Sequence, residues 1–202
     1  MFVWNYNLTH FITSAPNIHY LPEDTGVEIA FIGRSNSGKS SALNALTNQK
    51  NLARTSKTPG STKFINLFQI SVGYRLADLP GYGYSATTHS IKIQCKDLLV
   101  SYLKYRLSLR GLLILMDIRH PLQALDRQII LLALKNKIEI FILLTKADKL
   151  SHSSNLIQLN TVRKATNLFA DKIKIELFSA KKKLGVDTLQ QQLNTWYHNS
   201  SL

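Results

Sequence analysis

The stretch VEIAFIGRSNSGKSSALNAL, residues 27–46, decides how this chain is built. VEIAFI has the length and branching of a buried strand, and it stops at Gly33. From Ser40 onward, Leu43 and Leu46 fall on one face of a helix. The loop between them reads G-x-x-x-x-G-K-S over Gly33, Arg34, Ser35, Asn36, Ser37, Gly38, Lys39 and Ser40. Its glycines let the backbone approach phosphate oxygens, Lys39 can reach the β and γ phosphates, and the Ser40 hydroxyl can ligate Mg²⁺. The following helix turns its positive end to the same place, which adds Ser41 to the candidate phosphate contacts.

Working outward, further apolar branched runs occur at 75–79, 112–116, 138–144 and 173–178, with helical spacing over 91–105, 122–135, 153–169 and 186–196. In the first of these helices Cys95, Leu98, Leu99, Tyr102 and Leu103 share one side. Strands alternating with helices predict an α/β, three-layer P-loop NTPase fold. Its mostly parallel six-stranded sheet has an antiparallel edge strand at 63–71 and helices on both faces. Residues 51–62 and 81–90 read as exposed loops, and 197–202 as a fraying end.

At 202 residues and 45% apolar, the chain suits one substantial core, so 1–202 is expected to be a single domain with short flexible termini. One cysteine, Cys95, excludes an internal disulfide and a multi-cysteine metal site, and points to the reducing cytoplasm. MFVWNYNLTHF has no basic leader and no long apolar run follows, so neither a signal peptide nor a membrane span is expected. Lys plus Arg is 25 against 12 acids, a formal charge of +13. That excess favours polyanionic partners and leaves RNA, DNA and anionic membrane all open.

Three later stretches select the base. Asp78-Leu79-Pro80-Gly81 ends a strand: the acid can hold a Mg²⁺ shell, and the Gly81 N–H can meet a γ-phosphate and rotate when it leaves. In Thr145-Lys146-Ala147-Asp148, the carboxylate can accept guanine N1–H and N2–H₂, donors that adenine lacks at that edge. The Lys146 stem can lie over the purine. Phe178-Ser179-Ala180-Lys181 follows the last strand, and its small residues let a backbone N–H approach guanine O6. A switch hydroxyl completing the Mg²⁺ site could come from Thr62, with Thr55, Thr58 and Ser61 as rivals. The nucleotide is therefore GTP or GDP.

In this order the motifs resemble the translation-factor-like P-loop GTPases, and in detail the EngB family, also called YihA or YsxC. The resemblance is carried by residues 28–47, by SKTPGST at 56–62 (with Gly60 and Ser61 beside the nucleotide), and by DLPGYGY at 78–84. D-x-R-H-P-x-x-x-x-D at 117–126, TKADKL and SAKKKLG complete it. It implies that Thr62 is the switch threonine and a Mg²⁺ ligand beside Ser40, with Asp78 holding the metal directly or through water in its second shell. Lys63 stands where the family has Gln or a similar residue, and Ser179-Ala180 where two small polar residues are common. The resemblance also implies a role in late assembly of the large (50S) ribosomal subunit and in normal cell division and septation.

Tyr82 follows DLPG, where many GTPases carry a water-orienting Gln. With a phenol pKa near 10 it is a poor base at neutral pH. Asn36 suggests a substitute, because in related GTPases lacking that Gln the matching Asn helps bind K⁺ near the phosphates. Lys39, Asn36, Thr62 and Gly81 are thus the candidate catalytic groups, and slow intrinsic turnover is expected. Tyr82 and Tyr84 otherwise read as partner-facing or packing aromatics, and His120 as a turn residue.

Seven basic residues, Arg163, Lys164, Lys172, Lys174, Lys181, Lys182 and Lys183, fall in one span with only Asp171 and Glu176 opposing. They suit the rRNA phosphate backbone of the large subunit or its precursor. No DNA specificity or integral membrane contact is expected, and the protein is read as a monomer. The rival readings are a guanine-nucleotide-controlled interaction protein at the division site with negligible hydrolysis, and a small-molecule kinase. TKAD and SAK disfavour the kinase.

Overall fold

The computed structural model describes residues 4–53, 64–83 and 89–199. Thr55, Thr58, Gly60, Ser61, Thr62, Lys63 and Tyr84 lie outside the described residues.

Among the described residues seven strands form one sheet: β1 His10–Ala15, β2 Val27–Gly33, β3 Ile65–Ser71, β4 Tyr74–Asp78, β5 Leu109–Asp117, β6 Glu139–Thr145 and β7 Ile173–Leu177. Among the described residues five α-helices accompany them: α1 Lys39–Thr47, α2 His89–Tyr105, α3 Ala124–Lys135, α4 His152–Ala165 and α5 Val186–Asn199. The strand order is β1-β3-β4-β2-β5-β6-β7. β4, β2, β5, β6 and β7 run parallel, while β3 is antiparallel to both β4 and β1.

The expected α/β architecture holds, with one strand more than six. β1 covers β3, so the antiparallel strand near 63–71 is not the edge. HFITSA lacks a clean apolar alternation, and Phe11 is exposed although it packs edge-to-face on Phe68. Pairing with β3, rather than a pattern of its own, makes this segment a strand.

Both sheet faces are covered, as parallel strands require. α2, α3 and α4 close one core, which contains Leu98, Leu99, Tyr102, Leu103, Ile130, Ala133, Leu159 and Val162. α1 and α5 close the other through Leu43, Leu46, Leu189, Leu193, Trp196 and Tyr197. Tyr197 does not fray: it is fully buried and donates to the Arg75 carbonyl at 3.0 Å. Gly111 lets α5 dock, since a Cβ there would stand 2.3 Å from the Trp196 ring.

The polar residue of VEIAFI explains itself in the fold. Glu28 is fully buried and accepts from Arg106 Nε at 3.0 Å, Arg106 Nη2 at 2.6 Å and Tyr102 at 2.8 Å. Arg75 Nε lies 3.0 Å from the same carboxylate, close enough for an ionic contact but poorly directed as a hydrogen bond. A buried carboxylate is tolerated only with partners of this kind. The cluster ties the end of α2 to the start of the central strand β2, at the amino ends of the parallel strands and away from the loops described next.

Candidate nucleotide-binding site

Four loops gather at the carboxyl ends of β2, β4, β6 and β7, the side where open parallel sheets place ligands. After β2 the chain curls through two left-handed residues, Asn36 (φ 61°) and Gly38 (φ 93°), before α1 begins at Lys39. Gly33 is needed for closeness: a Cβ would lie 2.3 Å from Ser37 Oγ and 2.7 Å from the Leu115 carbonyl. The first N–H groups of α1 have no partner within the helix, which suits them to an anion. Arg34 and Ser35 are half-buried, while Asn36 and Ser41 are exposed. Ser37 is buried, and its hydroxyl makes no hydrogen bond.

Lys39 and Asp78 are both buried and form an ion pair across this loop. The cation expected at the phosphates and the acid expected at a metal shell therefore satisfy one another. Among the described residues no three His, Cys, Asp or Glu side chains gather as metal ligands. The donors present, one carboxylate and the Ser40 hydroxyl, are hard oxygens. They fit Mg²⁺, which takes few protein ligands and completes its shell with water and phosphate oxygens.

Leu79 and Pro80 are buried, and so is Gly81, which was expected to open an exposed loop; the Leu79 N–H donates to the Phe31 carbonyl at 3.0 Å. Tyr82 is also buried, and its hydroxyl donates to Asp126 Oδ1 at 2.6 Å. Burial first, then the Asp126 charge, pushes the phenol well above its ordinary pKa. Burial likewise raises the Asp126 carboxyl, partly opposed by the hydrogen bonds it accepts. A neutral phenol turned into the protein cannot act as a base toward water, and the Tyr82 side chain faces the interior rather than a partner. His120 is exposed, and its N–H closes a turn onto the Asp117 carbonyl at 2.9 Å.

The TKAD and SAK loops are tied to one another and to the first loop. Thr145 Oγ1 donates to the Ser37 carbonyl at 2.6 Å, so this side chain joins two loops. The Ala147 N–H donates to the Phe178 carbonyl at 3.1 Å. Ser179 Oγ donates to Asp148 Oδ1 at 2.6 Å and accepts from the Lys182 N–H at 3.2 Å. That bond from Ser179 is the main cause holding the Asp148 carboxyl below its ordinary pKa. Ala180 is half-buried and Lys181 exposed.

Asp117, quoted in the D-x-R-H-P motif without a role, has one here. Lys146 Nζ lies 3.0 Å from its carboxylate, and Arg119 Nη2 donates to it at 2.6 Å. Lys146 itself is left-handed (φ 60°), so the pair fixes the course of its stem. Burial raises the Asp117 pKa, but the bonds from Arg119 and Lys146 outweigh it and hold the carboxyl far below the usual range.

The seven basic residues do not make one patch. Lys181, Lys182 and Lys183 are exposed at the loop end of β7, whereas Arg163, Lys164, Lys172 and Lys174 lie at its other end. The five residues of β7 separate the two groups by roughly 15 Å. Arg163 and Lys174 line a cleft of about 600 Å³ between α4, α5 and the open edge of β7, and Lys174 donates to Gln192 at 2.7 Å. No helix among the described residues is long and apolar enough to cross a membrane.

The sheet order, the glycine-bounded loop at α1 and the acid, TKAD and SAK loops around it define a P-loop GTPase. A family model described as 50S ribosome-binding GTPase matches residues 28–146. The probable GTP-binding protein EngB of Klebsiella pneumoniae is 57% identical over 195 residues, 96% of this chain and 93% of that one. The corresponding Haemophilus influenzae protein is 58% identical over 193 residues, 96% and 94%. The chain belongs to the EngB family. The fold is shared with the crystal structure of a probable GTP-binding protein engB, at TM-score 0.71 and 20% identity, covering 86% of this chain and all of that one. It is shared also with Era in complex with MgGDPNP and nucleotides 1506–1542 of 16S ribosomal RNA, at TM-score 0.66 and 18% identity, covering 85% and 57%.

Proposed function

We propose that this chain is a Mg²⁺-dependent GTP/GDP switch that hydrolyses GTP slowly and acts in late assembly of the large ribosomal subunit. The effect on division and septation follows from that role. One observation carries the guanine reading: Asp148, oriented by Ser179, sits on a loop that Thr145 ties directly to the phosphate-facing loop. Base and phosphate recognition are therefore held in one frame.

On binding GTP, Lys39 leaves Asp78 for the β and γ phosphates, and the α1 N-terminus takes the phosphate charge. Ser40 and Asp78, with Thr62 as switch ligand, would hold Mg²⁺, which would supply positive charge to the phosphate oxygens. The Gly81 N–H meets the γ-phosphate. Tyr82 leaves water without a side-chain base, so turnover is slow until a partner completes the site. Asn36 is exposed beside the phosphate loop and is the proposed K⁺ contact; equal turnover in KCl and NaCl would remove it.

The ribosomal reading is supported by the family model's description and by the +13 charge. The partner is the large subunit or its precursor, met through rRNA phosphates by a cytoplasmic monomer without DNA specificity. Sedimentation with large subunits in GDP and in a non-hydrolysable GTP analogue tests it. Association in the GTP form that falls with salt is expected. Association indifferent to nucleotide and salt would favour the division-site interaction protein instead.

A further inference from the structure

Tyr82 is fastened at both ends. Its N–H donates to the Gly33 carbonyl at 3.2 Å, and its carbonyl accepts from the Ser35 N–H at 3.0 Å, a short parallel bridge around Arg34. Its hydroxyl reaches Asp126 Oδ1 on the first turn of α3. Asp126 Oδ2 accepts from the Gln123 N–H at 2.8 Å, which caps α3. The phosphate loop, the residue after DLPG and the α3 N-terminus are thus one hydrogen-bonded strut.

Gly81 is the residue this strut bears on. Having no side chain to pack, it takes its orientation from its neighbours, and Tyr82 is covalently next to it. A peptide N–H stabilises developing phosphate charge only when it is held in place before the reaction. We propose that Tyr82 is a positioning residue for GTP hydrolysis: its Asp126-anchored side chain and Gly33-anchored backbone hold the Gly81 N–H at the γ-phosphate position. A tyrosine at the site of the customary glutamine then has a role in hydrolysis without touching water. The inference rests on Gly81 being the γ-phosphate contact.

Tyr82→Phe keeps the ring and removes only the anchor. GDP, which lacks the γ-phosphate, should bind within twofold of wild type. Affinity for a non-hydrolysable GTP analogue and the single-turnover rate at saturating GTP should each fall about tenfold, the low end for one hydrogen bond to a charged acceptor. Asp126→Asn, which disturbs the same anchor, should give the same split between GTP and GDP. The double variant should lose little more than the worse single. Asp126→Asn also disturbs the α3 cap, so Tyr82→Phe is decisive if that variant melts early. A Tyr82→Phe protein with wild-type rate and wild-type preference for GTP would overturn the strut. So would equal losses of GTP and GDP affinity, which signify packing alone. Failure of wild-type protein to bind GDP would instead overturn the nucleotide-site reading beneath it.

Discussion

Ser179→Ala probes guanine recognition through a single oxygen. Ser179 Oγ sits between two groups, donating to Asp148 Oδ1 at 2.6 Å and accepting from the Lys182 N–H at 3.2 Å. Removing it leaves the Asp148 carboxylate without the bond that orients it. A hydrogen bond to a charged group contributes about 1.5–3 kcal/mol when buried, and a partly exposed acid regains some of that from water. A loss of about 1 kcal/mol follows, roughly fivefold in GDP affinity. The loss should be specific to the edge that Asp148 reads. Inosine diphosphate, which lacks the N2 amine, should lose less, so the GDP-to-IDP ratio narrows. Competition against a fluorescent GDP analogue measures both. Unchanged GDP affinity would refute the orienting role, and equal losses for GDP and IDP would show that Ser179 shapes the loop without aligning the carboxylate.

Other perturbations reach different parts of the molecule. Glu28→Ala removes the carboxylate that Arg106 and Arg75 share and leaves them Asp24 and backbone carbonyls, which should cost about 3 kcal/mol, or about 10 °C in melting temperature; a drop under about 2 °C would contradict the buried cluster. Asp117→Asn should lower melting at pH 7 by about 2–4 °C, for an ion pair contributing about 1 kcal/mol. Because the folded carboxyl lies below its unfolded value, the wild-type advantage is full above about pH 4 and fades as pH falls toward the folded value. Melting of both proteins at pH 7 and pH 3 should show the gap closing. Lys182→Ala with Lys183→Ala should weaken large-subunit association and flatten its salt dependence by about one to two units of log–log slope, sparing GDP affinity. An unchanged salt series would remove these lysines from the interface.

The elements with a strong period were legible. Residues 27–46 specify strand, loop and helix, and the stripe Cys95, Leu98, Leu99, Tyr102 and Leu103 is buried throughout. The loops that gather at the carboxyl ends of β2, β4, β6 and β7 were also legible as loops, since each follows an apolar run. What escaped depends on contacts between distant residues. β1 is a strand because β3 lies beside it, not because HFITSA alternates. Glu28 and Arg106 are 78 positions apart, and their pairing has no local signature. Thr145 reads as a nucleotide contact within TKAD, yet its hydroxyl binds Ser37 108 positions away. Tyr82 and Asp126 stood in two quoted motifs, and only the fold brings them together. The seven basic residues form one run in sequence, but β7 carries them to opposite ends.

Phosphate release from GTP and from ATP, at equal concentration with Mg²⁺ and with Lys39→Ala as the blank, bears on the whole site at once. The four loops require GTP to be hydrolysed, slowly, ATP to be left near the blank, and Lys39→Ala to abolish turnover. Hydrolysis of ATP at the GTP rate, or GTP turnover that survives Lys39→Ala, would contradict a guanine-specific GTPase centred on these loops.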